Sequence, residues 1–139
     1  MKKFNKELKI ISATDNLSLV RDFTKAAAEE SGFANDVVAK IVLAVDEACT
    51  NIIKHAYKYS VEGEIVINAS LENQKFTITL TDSGGHFDAR KVPEPDLEKY
   101  AKERKVGGLG MFLMKKLMDE VTYHNLDGDS NQVIMVKYI

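Results

Sequence analysis

Between residues 35 and 59 the chain repeats apolar side chains at the spacing of a single helix face: Val38, Ile41, Val42, Val45, Ala48, Ile52, Ile53 and Ala56. Positions three and four apart share one side of an α-helix, so the run predicts an amphipathic helix over 35–59 with that side turned into a core. At about 100° per residue, Glu47, Asn51, Lys54, His55 and Lys58 fall along the opposite side. A carboxylate one turn from an amide can hold a metal-bound anionic ligand and orient a nucleophile beside it. An ordinary helix with a solvated polar face accounts for the same residues, and taken alone the run favours that reading. Two later segments change the balance.

The first is a strand end. Residues 64–71 alternate, with Ile65, Ile67, Ala69 and Leu71 on one face, and Phe76, Ile78 and Leu80 do the same beyond a short Asn73-Gln74 turn. Counting on by two places Asp82 on the inward face. A carboxylate at a core edge is costly unless it meets donors. A ligand amino group at a pocket floor would supply one; an aspartate capping the Ser83-Gly84-Gly85 turn accounts for it equally well. The second segment is Gly107-Gly108-Leu109-Gly110, with Arg104 and Lys105 just upstream. Glycines before a helix let a backbone approach a phosphate, and the helix N-terminus attracts it. No Gly-Lys-Ser/Thr follows, so this is not a Walker loop, and no strand precedes it as in a Rossmann fingerprint.

The remaining elements fill in around these. Residues 7–12 read as a first strand. Asp15 or Asn16 caps a helix over 17–30, whose inward stripe is Leu17, Val20, Phe23, Thr24, Ala27 and Ala28, and Ser31-Gly32 ends it. Arg21, Asp22, Lys25 and Glu29 are left for solvent or a partner. Asn35 caps the central helix. The stretch from Gly84 to Gly108 is long and charged, holds Pro93 and Pro95, and has room for a short helix near 96–102. A short apolar helix over 109–118 and a closing hairpin of strands 121–124 and 133–138 complete the chain. The order βαα-ββ-α-ββ predicts an α+β two-layer sandwich, with helices on one face of a mixed, mostly antiparallel sheet.

Its 139 residues fit a single domain over 1–139. A net charge of −2 argues against direct nucleic-acid binding. Cys49 is the one cysteine, so no internal disulfide can form, and a small buried thiol is expected. The N-terminus lacks the apolar core of a secretory signal, and no run reaches the roughly 20 apolar residues of a membrane span. A soluble, reducing, cytoplasmic setting with no membrane contact is expected.

The three segments together resemble the Bergerat-fold ATPases, the superfamily of gyrase and the histidine kinases. Within it the chain looks like the bacterial serine-protein kinase anti-sigma factors, over nearly its whole length. The motifs are Glu47-Ala-Cys-Thr-Asn51-Ile-Ile-Lys-His55-Ala-Tyr57, Asp82-Ser-Gly84-Gly-His86-Phe87-Asp88, and Gly107-Gly108-Leu109-Gly110-Met111 running on to Asp119-Glu-Val121, with Met135-Val-Lys137-Tyr138-Ile139 at the close. The resemblance implies ATP and magnesium as cofactors. It makes Asn51 the magnesium ligand, Glu47 the carboxylate that activates the attacking hydroxyl, and Asp82 the acceptor of the adenine amino proton. It gives Gly84 the space beside the base. His55, Arg104, Gly107, Gly108, Leu109, Gly110 and Met111 complete the ATP-binding set, and residues 85–106 become the nucleotide lid. His86 departs from the superfamily's second glycine, and Gln132 stands where a threonine often supports the adenine-binding acid.

The implied function is a serine/threonine-protein kinase that sequesters a sigma factor, as a homodimer, and phosphorylates a STAS-type anti-sigma factor antagonist. Alternatives are a nucleotide-binding regulatory module without phosphotransfer and a partner-switching kinase that binds no sigma factor. A sensor histidine kinase fits less well, since that family carries Asn rather than Glu at position 47.

Overall fold

Among the described residues, five strands form one sheet: β1 (Phe4–Ile11), β2 (Glu64–Glu72), β3 (Lys75–Asp82), β4 (Glu120–Asn125) and β5 (Asn131–Tyr138), in the spatial order β1-β2-β3-β5-β4. This is a computed structural model, which describes residues 2–84, 114–126, 128 and 130–139. Every ladder among these strands is antiparallel, with no parallel pair of the kind a mixed sheet contains. The β2–β3 hairpin turns through Asn73 and Gln74, both at positive φ (53° and 63°). Two residues at positive φ match the right-handed twist of the flanking strands, and Asn tolerates that conformation.

Helices α1 (Leu17–Glu30) and α2 (Asn35–Asn51) cover one face of the sheet. The inward residues Ile65, Ile67 and Ala69 of β2, and Phe76, Ile78 and Leu80 of β3, are fully buried. They meet Val20, Ala27 and Ala28 of α1 and Ile41, Ala44, Val45 and Ala48 of α2 in one core. Phe33, between the helices, adds an edge-to-face contact with Phe76 at 5.8 Å between ring centres. Thr24 sits inside this core because its hydroxyl donates to the Val20 carbonyl at 2.7 Å. The layers and the α+β class are those expected.

Several local expectations are corrected. Strand β1 ends at Ile11, and Ser12 lies beyond it, buried, donating to Ser60 O at 2.5 Å and accepting from Gly63 N at 3.1 Å. A 3₁₀ turn over Thr14–Asn16 precedes α1, and Asn16 sends its amide back to Ile11 O at 2.9 Å instead of capping the helix. Asn35 is the first helical residue of α2, with Ala34 as the uncapped N-cap and Asp36 supplying first-turn negative charge. Arg21 is exposed, as expected, and also pairs with Asp46 of α2 at 2.9 Å.

The largest change concerns the end of the central helix. The α-helix stops at Asn51 and continues as a π-helical turn, Ile52–Ala56, in which Tyr57 N reaches Ile52 O at 3.0 Å. An i→i+5 bond places an extra residue in the turn and shifts the phase of everything after it. Lys58 and Tyr59 then adopt left-handed backbone (φ 49° and 65°), so Lys58 lies outside any helix face. The polar line predicted from Glu47 to Lys58 therefore ends at the π turn. A helical turn at 114–117 adds Met114 to the same core, and Lys137 donates to its Leu117 carbonyl at 3.0 Å. Among the described residues no helix is long and apolar enough to cross a membrane.

Candidate functional site

The end of α2 and the ends of β3 and β5 converge on a cleft that opens to solvent. Its described wall includes Asn51, Ile52, His55 and Ala56 from the helical side, Asp82, Asn131 and Val133 from the sheet, and Met114 and Tyr123 at one end. Most of that wall is apolar, with polar groups at a few points, which is how small-molecule sites are commonly built.

Asp82 is 5% exposed, on the inward face shared with Leu80 and Ile78, as the period-two count requires. Both of its hydrogen bonds among the described residues end on Oδ1. Gly84 N donates at 3.0 Å and Asn131 Nδ2 at 3.1 Å. Burial pushes the Asp82 carboxyl above its ordinary range, and these two donors pull it partly back. The turn-capping role weighed for Asp82 is thus real and coexists with a place in the cleft.

Asn131 was missed at the sequence level. It stands directly opposite Asp82 in the β3–β5 ladder, because β5 begins two residues before the predicted start at Val133. Gln132, singled out instead, faces the other side of the sheet from Asp82, and its amide donates to Thr81 Oγ1 at 3.2 Å. Counting back by two from Met135 through Val133 would have arrived at Asn131.

Asn51 is half-buried at the last α-helical position, and its side-chain nitrogen is buried without a hydrogen-bond partner among the described residues. A buried amide nitrogen so placed calls for an acceptor from outside the described residues. Glu47 stands one turn earlier, about 6 Å along the axis. It is half-buried, lies outside the described cleft wall, and has its carboxyl raised by burial and then by neighbouring Asp46. His55 lines the cleft from the π turn. Burial and then the adjacent Lys54 lower its pKa, which favours the neutral imidazole.

Gly84 is not among the described residues of the cleft wall. A Cβ there would stand 2.6 Å from the Ala56 carbonyl oxygen and 2.7 Å from its carbon, so the strand end and the π turn close up only over a glycine. Cys49 is fully buried beside this region, and desolvation pushes its thiol up to about 12. Arg104, Gly107, Gly108, Leu109, Gly110 and Met111, along with His86 and the lid at 85–106, lie outside the described residues.

The family described as "Histidine kinase-like ATPase domain" matches residues 10–137. Serine-protein kinase RsbW of Bacillus thuringiensis (strain Al Hakam) is 36% identical over 144 residues, spanning 100% of this chain and 88% of that protein. Serine-protein kinase RsbW of Bacillus cereus (strain AH820) is 35% identical over the same spans. The crystal structure of the RsbU and RsbW domains of Rv1364c from Mycobacterium tuberculosis shares the fold, with a TM-score of 0.69 at 17% identity. That superposition covers 97% of this chain and 32% of the longer one. The chain belongs to the RsbW serine-protein kinases, within the histidine kinase-like ATPases.

Proposed function

We propose that the cleft between Asn51 and Asp82 binds Mg·ATP, and that Glu47 assists transfer of its terminal phosphoryl group to a serine or threonine of a STAS-type antagonist. The observation that carries this reading is that Asn51, on the helix, and the buried acid Asp82, on the sheet, line one cleft. Asp82 Oδ1 is engaged by Asn131 and Gly84, which leaves Oδ2 to accept from an exocyclic amino group such as that of adenine.

The neutral Asn51 side chain suits magnesium, a hard ion that prefers oxygen and keeps phosphate and water among its ligands. When bound, that ion would neutralise phosphate charge and align the phosphates for displacement. Among the described residues no cluster of three or more His, Cys, Asp or Glu competes for it. Glu47, with its pKa raised, is suited to take the proton of the incoming hydroxyl as its oxygen bonds to the γ-phosphorus and the bond to the bridging oxygen breaks, with ADP leaving. The phosphate side falls to Arg104, Gly107, Gly108, Leu109, Gly110 and Met111 on family resemblance.

Membership of the RsbW kinases supports a second role, sequestration of a sigma factor by a homodimer of this chain in the cytoplasm. The test mixes the protein with candidate sigma factors and antagonists from its source cell, with Mg·ATP or Mg·ADP, and follows complexes and phosphoserine. Transfer together with an ATP-favoured sigma complex is expected. Transfer without any sigma complex would reject the anti-sigma role, and neither event would reject both.

A further inference from the structure

Strand β3 pairs with β5 as far as Asp82↔Asn131, and the next peptide leaves the ladder. There the Ser83 N–H donates to the phenol oxygen of Tyr57 at 2.7 Å. The same phenol donates to the Glu64 carbonyl at 2.6 Å, at the start of β2. Tyr57 also closes the π turn through its own N–H. One side chain thus ties the segment that carries Asn51 and His55 to the strand end that carries Asp82.

Shape supports the same connection. A Cβ on Gly63 would stand 2.4 Å from Cε1 and 2.5 Å from Cδ1 of the Tyr57 ring, so the ring lies directly on that glycine. On the other side, Gly84 admits the Ala56 carbonyl. Burial raises the phenol above its ordinary range, so it stays protonated at neutral pH and can donate to one backbone while accepting from the other.

We propose that Tyr57 is a positioning residue for the base side of the nucleotide site, its two hydrogen bonds setting where the Asp82 carboxylate stands relative to Asn51. This rests on the reading of the cleft as the ATP site. A nucleotide must reach both groups at once, so a shift of Asp82 weakens it. Inorganic tripolyphosphate uses the phosphate side alone and does not sense that shift. A tyrosine that only stabilised the fold would, when altered, affect both ligands alike or neither.

The experiment titrates the full chain and its Tyr57→Phe variant with Mg·ATP and with magnesium tripolyphosphate by calorimetry. It also follows hydrogen exchange at the Ser83 amide in the wild type. Loss of two hydrogen bonds of ordinary strength predicts ATP binding weaker by about tenfold, with tripolyphosphate held within about twofold. The wild-type Ser83 amide is expected to exchange slowly although it lies outside the ladder. Unchanged affinities, equal losses for both ligands, or Ser83 exchange at the rate of a free loop amide would each overturn the proposal. If Tyr57→Phe does not fold, Gly63→Ala replaces it, since the added methyl displaces the ring; ATP-selective loss supports the proposal and its absence overturns it. Failure of the wild type to bind Mg·ATP would instead remove the site reading on which the proposal rests.

Discussion

Asn131 and Asp82 face each other in register across the β3–β5 ladder, and the Asn131 amide donates to Asp82 Oδ1 at 3.1 Å. With Gly84 N on the same oxygen, the carboxylate is fixed through one atom and keeps the other as an acceptor. Asp82→Asn should therefore weaken Mg·ATP by about 10- to 100-fold, the usual range for losing a hydrogen bond to a charged group. Magnesium tripolyphosphate should change far less. The fold should persist, because burial has already raised the Asp82 pKa and its charged form costs stability. The sign follows from linkage. A carboxyl raised above 3.8 in the folded state binds more protons than in the unfolded state, so its contribution falls as pH rises through that window. The variant should lack that component, which urea titrations of both proteins across the acidic range will measure.

Alkaline stability should be limited by buried neutral groups. The Cys49 thiol is raised from 9.0 to about 12, and the Tyr123 phenol from 10.0 to about 12, both chiefly by burial. Between the ordinary and the raised values the unfolded chain loses a proton that the folded chain keeps. Stability therefore falls as pH climbs through this window, by about 1.4 kcal/mol at pH 10 for Cys49 alone. Denaturant midpoints at pH 8 and pH 10 will show the drop. Cys49→Ala should be less stable at both values because of its cavity, yet show a smaller difference between them.

Gly84→Ala tests the close approach of strand end and π turn. The added Cβ would meet backbone atoms of Ala56 at 2.6–2.7 Å, which cannot rotate away as a side chain would. A loss of about 1–3 kcal/mol is expected, typical of overpacking, together with weaker ATP binding as Asp82 shifts. A urea midpoint equal to wild type would show that the two segments separate without cost.

Much of this arrangement was legible in the sequence where local periodicity decides structure. Helix α1 runs over Leu17–Glu30 as read, since an unbroken apolar stripe meets a Ser-Gly stop, and period two placed Asp82 inward correctly. The rest depends on contacts distant in sequence. Asn131 is polar at the head of a strand, so propensity hid it; period two places it on the inward face, and its register with β3 sets it opposite Asp82. Residues Ile52–Ala56 suit an α-helix as well as a π turn; the i→i+5 bond is a feature of the folded chain. The Arg21–Asp46 pair requires α1 and α2 to be packed before it exists. The glycine motif at 107–110 lies outside the described residues, so the phosphate side of the site rests on resemblance.

A Glu47→Gln variant tests whether Glu47 accepts the proton in phosphoryl transfer from Mg·ATP. The amide keeps the size of the side chain and removes its basicity, so the helix and the neighbouring Asn51 should be undisturbed. Single-turnover transfer from Mg·ATP to the antagonist, measured beside calorimetric ATP affinity, separates chemistry from binding. ATP should bind within about twofold of wild type while transfer slows by about 10²- to 10⁴-fold, the usual effect of removing a general base. Transfer at the wild-type rate would contradict the account and place the base elsewhere.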